Sequence, residues 1–476
     1  MLIRQATVNG TVADVRVGEV VEAIAAKLVP LPGEQVLEAE GGELLPGLHD
    51  HHMHLYASAA AHSSLDCHVG AVEPELGRQH LARRIAAYPG LGWIRGINYH
   101  EQQLGELDRW MLDDLCSHRP LRIQHRSGKV WVCNTLALSE LGFDRGGNED
   151  GVEIDAQGRL TGRVVRNDPL MAQRLQQIGE STDPDIGFLS RELARFGIVG
   201  VTDTSASNTL ASADNYNRLH QQGILLQRVE VMGADDLDVG YLKILLDEDG
   251  LPPLDRLVQR INRARNKGRN VAFHCVTHLE LVFALAALDE AEPPTRGFDR
   301  VEHGAMVNDD MAQRLAQLAV PVITQPGFLY AKGDQYLQDL SAAEQDDLYR
   351  YRGLLDCGVS VVASSDGPYG PINPWQVVSS AVNRATSSGA LVTPWEQVAP
   401  EEALAGYLTS SAELTMRRSF QELKAITVGK AADLCLLKGK WSDLRHNPEK
   451  VTVGATVIGG SVVFDSASGQ RLEPAD

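Results

Sequence analysis

Short apolar runs alternate with helical patterns over residues 190–420, and this alternation limits the possible folds more than any other feature of the chain. It is typical of βα units built around a parallel sheet. A further run of the same kind at Leu44–His54 brings the number of strands to eight, which predicts an α/β fold with a (β/α)8 TIM barrel. The predicted strands are Leu44–His54, Ile198–Asp203, Gln227–Met232, Tyr241–Leu246, Val271–Cys275, Arg300–His303, Val320–Thr324 and Val359–Ala363.

The remaining segments predict two additions to this barrel. Residues 61–189 are too many for a βα loop, so we interpret them as a subdomain inserted after the first strand. Residues 1–45 and 421–476 both consist of short strand patterns separated by polar turns. We therefore predict a small β-sandwich formed by the two chain ends, with the barrel and its insertion occupying residues 46–420.

Composition narrows the classes of partner. The 476 residues contain 44 Lys+Arg and 63 Asp+Glu, a formal net charge of −19 that repels phosphate backbones and anionic membranes. The N-terminus lacks the apolar core of a signal peptide, and the six scattered cysteines suit a reducing compartment. The sequence therefore predicts a cytoplasmic protein that binds a small molecule, with neither nucleic acid nor membrane as a partner. It is also compatible with a homo-oligomer.

The first predicted strand carries a histidine pair. His52 and His54 lie two residues apart, so they share one face of a strand and can bind the same ion. Asp50 shares that face and could orient an imidazole from behind. His49 and His51 point to the opposite face, and we expect them to be packed or solvated.

Four further candidates lie at or near the carboxyl ends of later predicted strands, at intervals close to whole βα units. That rim is where barrel enzymes place their chemistry. We therefore expect these residues to meet His52 and His54 at one metal site. The four candidates are Lys243, His274, His303 and Asp366.

Lys243 lies in an apolar strand, where an ammonium group is costly to desolvate and must deprotonate, pair or be modified. An amine with a lowered pKa can capture carbon dioxide, and the resulting carbamate can bridge two cations. The alternative is an ordinary ion pair with Asp247, Glu248 or Asp249. The residues alone leave both interpretations open.

Several motifs together resemble the amidohydrolase superfamily, and within it the amidohydrolase-3 group of YtcJ-like and N-substituted formamide deformylase-like proteins. The resemblance covers nearly the whole chain. Members of the group include formamide deformylases, other amidases and a thiocarbamate hydrolase. The motifs are Pro46-Gly-Leu-His-Asp-His-His-Met-His54, Gly92-Trp-Ile, Asn134-Thr-Leu-Ala-Leu138, Arg300-Val-Glu-His303, Thr324-Gln-Pro-Gly-Phe328, Ser365-Asp366 and Val428-Gly-Lys-Ala-Ala-Asp-Leu434.

The resemblance implies two divalent cations, usually zinc, with cobalt, manganese or iron also suited to such ligands. His52 and His54 would hold the more buried ion together with Asp366. His274 and His303 would hold the second ion, and carboxylated Lys243 would bridge both. Lys243, His303 and Asp366 would be the catalytic residues.

The implied reaction is hydrolysis of a C–N bond in an amide, formamide, carbamate or thiocarbamate-like small molecule. A metal-bridging hydroxide would attack, and Asp366 would take its proton and deliver it to the leaving group. The alternative is a mononuclear deaminase or hydrolase of a heterocyclic ring, in which Lys243 stays an ion pair. A non-catalytic scaffold is disfavoured because the full ligand set is present.

The substrate-facing segments depart from the group. Ser127-Gly128-Lys129 replaces the common Asp-Gly-His, which weakens any transfer of substrate. Arg126 and Lys129 could grip a carbonyl oxygen or carboxylate, or could form a solvated basic loop. The predicted substrate-binding residues are Tyr56, His100, Arg126, Lys129, Gln325 and Tyr330. Phe328, Tyr369 and Trp375 are further candidates that could equally pack a lid.

Overall fold

A computed structural model describes residues 1–69, 72–145, 149–180, 184–415 and 418–467. The chain divides into two compact units. The first unit consists of Met1–Leu55 and Ile186–Asp476, and the second is Tyr56–Asp185. The first unit thus contains both ends of the chain, and the second is one continuous segment close to the predicted insertion.

The first unit contains all eight predicted parallel strands, arranged in two sheets. The isolated pairs Met53–Gly367 and Gly233–Leu242 join the edges of these two sheets. Most of these strands are nearly continuous apolar runs, as expected for parallel strands covered on both faces. Their spatial order is Arg228–Val231, Ile198–Asp203 and Leu48–Met53 in one sheet, and Leu242–Leu245, Val271–Cys275, Arg300–His303, Val322–Thr324 and Val361–Ala363 in the other.

The predicted strand Leu44–His54 is two strands. Leu44–Pro46 pairs with Leu434–Leu437, whereas Leu48–Met53 pairs with Ile198–Asp203. Gly47 separates them, and a Cβ at this position would meet Val199 Cγ1 at 2.3 Å. The chain changes sheets where only glycine fits, a constraint that the apolar pattern does not encode.

The chain ends form two four-stranded sheets that share one hydrophobic core. Alternating apolar residues such as Val15, Val17 and Leu434 fill this core. Val21–Ala25 is a strand that the sequence pattern did not predict. The two sheets contain Val21–Ala25, Thr11–Val17, Leu2–Val8 and Val36–Glu38, and Ser461–Asp465, Val453–Ile458, Leu434–Leu437 and Leu44–Pro46.

Helices follow most of the parallel strands, and local sequence signals fix their ends. Thr277 and Glu280 form a capping box at the start of His278–Glu290, directly after the strand that carries His274. No helix lies between Arg228–Val231 and Leu242–Leu245, as the short spacing predicts. The helices are Leu55–His62 at the boundary of the units, then Ile186–Arg195, Leu210–Gln221, Leu254–Asn266, His278–Glu290, Asp309–Gln317, Gly327–Asp339, Ala342–Asp346, Arg352–Asp356, Pro374–Asn383, Pro400–Leu408, Phe420–Leu423 and Trp441–Leu444.

The second unit has a six-stranded mixed sheet with two core clusters of its own. The sequence predicted an insertion here but not its strands. The strands are, in spatial order, Val152–Ile154, Leu160–Val165, Val130–Cys133, Leu121–His125, Ile94–Tyr99 and Leu65–Asp66. The helices are Pro74–Ala87, Glu101–Leu104, Arg109–Leu115, Thr135–Glu140 and Asp168–Gln177.

Short 3-10 turns complete the structure at Phe143–Arg145, Glu248–Gly250, Pro394–Glu396, Ser411–Glu413 and Pro448–Lys450. All six cysteines are unpaired, and five of them are buried, as the sequence predicts. Within the described residues, each helix is too short or too polar to cross a lipid bilayer.

Candidate metal centre

The parallel strands of the first unit carry five polar side chains at or just beyond their carboxyl ends and a sixth, Lys243, as the second residue of the strand Leu242–Leu245. His52 is the fifth residue of its strand, and His54 follows that strand directly. The backbone N–H of Asp366 donates to the carbonyl of His52 at 2.8 Å, so the segment after the last strand lies beside the first. The other three are Lys243, His274 and His303, each within or at the end of its own strand.

His52, His54 and Asp366 form a compact group. Oδ1 of Asp366 lies 3.4 Å from Nε2 of His52 and 3.3 Å from Nε2 of His54. This oxygen is buried and has no hydrogen-bond partner among the described residues. Nδ1 of His52 faces Oε2 of Glu302 at 2.5 Å. Nδ1–H therefore donates to that carboxylate, and Nε2 of the neutral ring presents a lone pair. A lone pair and an anionic oxygen face each other, as two ligands of one cation would.

Asp366 is held in an ionised and conformationally restricted state. Burial raises the pKa of its carboxyl group, but His52, His54 and His303 outweigh burial and hold the pKa below its usual range. Its backbone φ is 51°, and that of His303 is 69°, so both residues adopt the left-handed region. Such conformations are uncommon outside glycine and concentrate at functional sites, where the surrounding structure enforces them.

His274 and His303 form a second group of nitrogen ligands. Nδ1–H of His303 donates to Oε1 of Gln325 at 2.8 Å, which leaves a lone pair on Nε2. That Nε2 faces Nδ1 of His274 at 2.8 Å. Burial lowers the pKa of His274 to about 3 and holds that of His303 well below its usual value. Both rings are neutral at physiological pH, which is the state that binds metal.

Lys243 is buried, and Nζ has no hydrogen-bond partner among the described residues. Burial lowers its pKa, with Arg300 acting in the same direction and Glu302 opposing. Its charge is also among the causes that lower the pKa of His52 and His274. The alternative ion pair with the acidic residues 247–249 is therefore wrong. The charge of Lys243 acts on two of the candidate metal ligands, and its amine makes no hydrogen bond or ion pair within the described ranges.

Glu302 is the most important site residue that the sequence did not single out. Its carboxylate is fully buried, accepts from His52 and also pairs with Arg300 at 2.5 Å. Burial raises the pKa of Glu302, but Arg300, Lys243 and His52 outweigh it and hold the pKa well below its usual range. The expected orienter, Asp50, instead accepts the backbone N–H of His52 at 3.2 Å and contacts no imidazole in the described chain.

Two neutral residues orient the other histidines. Oγ of Ser205 lies 2.9 Å from Nδ1 of His54. Gln325, predicted to contact substrate, uses its oxygen on His303 and donates its amide N–H groups to the carbonyl of Ile323 and the hydroxyl of Ser364. Its amide oxygen and nitrogen both have partners within the protein, which gives Gln325 a positioning role, and its contact with substrate stays a prediction.

The remaining substrate-binding candidates differ in how deeply they are buried and in the unit to which they belong. Trp375 and Phe328 are buried in the hydrophobic interior, which corrects their assignment to the mouth of the site. Tyr369 is 38% exposed, and its ring lies edge-on to His54 with centroids 5.8 Å apart. Tyr330 is 40% exposed on the helix Gly327–Asp339. Tyr56, His100, Arg126 and Lys129 belong to the second unit, and their contact with substrate stays a prediction.

His49 and His51 are packed, as expected for the opposite face of the strand. Nε2–H of His51 donates to the carbonyl of Thr409 at 3.0 Å, and Nε2 of His49 lies 2.9 Å from Oγ1 of Thr202. His100 forms a separate three-residue group with Glu101 and His125 in the second unit.

The donor set fits divalent cations. Imidazole nitrogens with a carboxylate oxygen suit zinc, cobalt, manganese or iron, and the carboxylate behind His52 is typical of a metal-binding imidazole. The buried Oδ1 of Asp366 and Nζ of Lys243 lack partners among the described residues, which is costly unless a further group binds there. The residues therefore fit a metal site.

Replacing Glu302 should weaken metal binding. In Glu302→Gln the amide no longer supplies the negative charge that holds the His52 tautomer, so we expect metal affinity to fall by roughly 10- to 100-fold. Competition with a chelator measures this affinity in protein confirmed to be folded. Glu230→Gln is the matched control because Glu230 is exposed on Arg228–Val231, a strand of the other parallel sheet. Unchanged affinity in Glu302→Gln would remove Glu302 from the orienting role.

Acid should destabilise the metal-free protein. Folding lowers the pKa of five histidines below the unfolded value of about 6.5, so below that pH the unfolded chain binds more protons than the folded one. Stability is therefore lost as pH falls from about 7 to 5, by up to about 1.4 kcal/mol per pH unit for each proton. The five are His49, His51, His52, His274 and His303.

Thermal unfolding of the chelated protein across this pH range measures the effect. His51→Gln removes one buried imidazole outside the metal site and should flatten the profile by about one proton. A melting temperature that holds constant or rises between pH 7 and 5 would contradict the prediction.

Comparison with known proteins finds one family model and several relatives that are similar to this chain over most of its length. A model of the amidohydrolase family matches residues 35–464. The N-substituted formamide deformylase of Arthrobacter pascens is 26% identical over 469 residues, covering 85% of each chain. YtcJ of Bacillus subtilis (strain 168), named as an amidohydrolase, is 22% identical and covers 92% of each chain.

Solved structures show the same fold. An uncharacterized metal-dependent hydrolase from Pyrococcus furiosus is similar with a TM-score of 0.67 and 22% identity, covering 92% of this chain and 98% of its own. That likeness supports the mixed α/β fold predicted from the sequence.

Proposed function

The chain belongs to the amidohydrolase family and is a hydrolase that acts on C–N bonds, and from this premise we propose that it cleaves a small-molecule amide, formamide, carbamate or thiocarbamate. One observation carries the proposal. His52 and His54 lie beside the buried Oδ1 of Asp366, which has no hydrogen-bond partner among the described residues, and His303, from another strand, lies 3.9 Å from Oδ2. Such a site can hold cations and present a base beside them.

We propose that the centre holds two divalent cations, most suitably zinc. His52, His54 and Asp366 would bind one, and His274 and His303 the other, with Lys243 bridging them as a carbamate. Burial of Lys243 supports this because a lowered pKa favours the free amine that reacts with carbon dioxide. When bound, the cations would polarise the scissile carbonyl and lower the pKa of water.

Residues of the protein would transfer the proton and orient the histidine rings. Asp366 is anionic, and its Oδ1 faces two imidazoles without a hydrogen-bond partner among the described residues, so it could accept the proton of the attacking water and return it to the leaving group. Glu302 and Gln325 fix the rings of His52 and His303 so that their lone pairs point inward. Tyr369, whose ring lies edge-on to His54, is a candidate for contact with substrate.

We also propose that the two parallel sheets form one closed barrel within the predicted residues 46–420. The pairs Met53–Gly367 and Gly233–Leu242 support closure because they connect both edges of the sheets. The shared core of the terminal sheets supports a sandwich built from residues 1–45 and 421–476.

The test is hydrolysis of a substrate panel by metal-free protein and by protein reloaded with zinc, cobalt or manganese. The panel contains N-substituted formamides, anilides, ureas, carbamates and thiocarbamates, with amino-substituted heterocycles alongside. We expect metal-dependent release of amine from at least one acyl substrate, with two ions per chain. One ion per chain together with activity on the heterocycles alone would instead support the mononuclear deaminase.

A further inference from the structure

A small cavity in the second unit is lined mainly by hydrogen-bond donors. Its volume is about 140 Å³, enough for several water molecules. Leu175 and Glu180 complete the lining. We call it the donor cavity, and its donor side chains are Ser63, Ser64, Tyr88, Trp93, Arg95 and Arg122.

Arg122 is the unusual member of this lining. It lies on the strand Leu121–His125 with 9% of its surface exposed. Its guanidinium group makes no hydrogen bond or ion pair with any described residue, and Nε is fully buried. Its guanidinium carbon lies 5.1 Å from the ring centroid of Trp131, a cation–π contact that satisfies no N–H donor. Burial, with a smaller contribution from Arg95, lowers the pKa of Arg122 to about 10.

A second donor in the cavity is also unused. Nε1 of Trp93 is buried and has no hydrogen-bond partner in the described part of the chain. Arg95, two residues further along the chain, donates to Oγ of Ser64 at 3.1 Å. This hydrogen bond holds a second guanidinium group at the same cavity. Two guanidinium groups and an indole N–H thus line one small space. Glu180 is the acidic side chain of the lining; its charge opposes the lowering of the Arg122 pKa, but the two side chains form no ion pair among the described residues.

Arg119 is a second buried arginine of this unit, and its hydrogen bonds are those of an arginine with a structural role. It is as buried as Arg122, but its Nε, Nη1 and Nη2 donate to the carbonyls of Gly92, Tyr88 and Pro89 at 2.8, 3.0 and 3.2 Å. Buried donors are almost always satisfied in this way. Arg122 therefore lacks the partners that a structural role would supply.

We propose that the donor cavity binds a small oxyanion, either a carboxylate or a phosphate-like group, through Arg122 and Nε1 of Trp93. The guanidinium fork matches both kinds of oxyanion, and a negative charge would compensate Arg122. A cation would be repelled there, and a neutral ligand would leave the buried charge of Arg122 uncompensated. The site goes beyond the proposed hydrolase function, and its ligands all belong to the second unit.

The experiment titrates phosphate, sulfate or acetate into the full-length, metal-loaded protein at constant ionic strength, with chloride as the replaced salt. Wild-type protein should bind at least one of these anions and melt at a higher temperature in its presence. A response to phosphate and sulfate assigns a tetrahedral ligand, and a response to acetate assigns a carboxylate. The proposal is wrong if none of the three anions binds.

Three variants locate the binding. Arg122→Leu should weaken anion affinity at least tenfold, and in chloride it should melt no lower than wild type because it removes an unpaired buried charge. Trp93→Phe keeps the ring, loses the N–H and should weaken affinity about threefold or more. Arg159→Leu removes an exposed charge from the same unit and should leave affinity unchanged. If Arg122→Leu and Trp93→Phe both bind the anion as tightly as wild type, the cavity is not the site.

Discussion

Asp366→Asn should abolish turnover while preserving the fold. The variant keeps the size of the side chain, and asparagine tolerates the positive φ of this position. It removes the anionic oxygen that faces His52 and His54, so the proton of the attacking water has no acceptor. We expect kcat/KM to fall by at least about 10²- to 10⁴-fold, the usual contribution of general acid–base catalysis. Steady-state kinetics on the best substrate of the panel, with metal content and melting temperature, measures the change.

Asp50→Asn is the matched control for this experiment. Asp50 is equally buried, but its Oδ1 accepts backbone N–H groups of His52 and Ser365, a task that an amide oxygen can continue. Its activity should therefore stay within about tenfold of wild type. If Asp366→Asn retains a tenth of wild-type activity with its cations bound, Asp366 is not the proton acceptor.

Lys243→Ala should lose a cation and nearly all activity. The side chain is buried without a hydrogen-bond partner among the described residues, and its charge is among the causes that lower the pKa of His52 and of His274. If it serves as a bridging carbamate, its removal deprives both cations of an oxygen ligand. We expect the metal content to fall from two ions to about one, with turnover reduced at least as strongly as in Asp366→Asn. Elemental analysis of folded protein and steady-state kinetics provide the readouts.

Short carboxylic acids should partly restore activity to Lys243→Ala because formate or acetate can enter the vacated space and supply the missing oxygens. Repeating the rescue in an Arg122→Leu background separates it from any anion bound in the donor cavity. Lys267→Ala, an exposed lysine of the same unit, controls for the loss of charge. Unchanged metal content in Lys243→Ala would disprove the bridging role.

The sequence predicted the parallel strands well because their signal is local. Apolar runs such as Val271–Cys275 and Val361–Ala363 occur within the predicted positions, since strands buried on both faces need continuous hydrophobicity. The break at Gly47 was missed because it depends on the approach of Val199, a residue distant in the chain. The strands of the second unit were missed because they are short and lack clean alternation.

The candidate ligands were identifiable from their spacing, but their supporting partners were not. Glu302 orients a histidine 250 residues away, and no local pattern marks that pairing. Gln325 looked like a substrate contact because its neighbours form a loop, and its amide oxygen and nitrogen both have partners within the protein. Trp375 and Phe328 looked like lid aromatics, whereas burial made them part of the interior. Pairing and burial are decided by tertiary contacts, which a single sequence does not reveal.

The hydrogen bond from Asp366 to His52 joins the two ends of the parallel-strand series. During synthesis on a ribosome, the histidines of the first strand would emerge long before the aspartate, with most of the chain still to be made. A cation that needs both can be acquired only after the last strand has left the exit tunnel. Metal uptake would therefore report the completion of the parallel-strand series, and a chain that ends before Asp366 would remain unloaded.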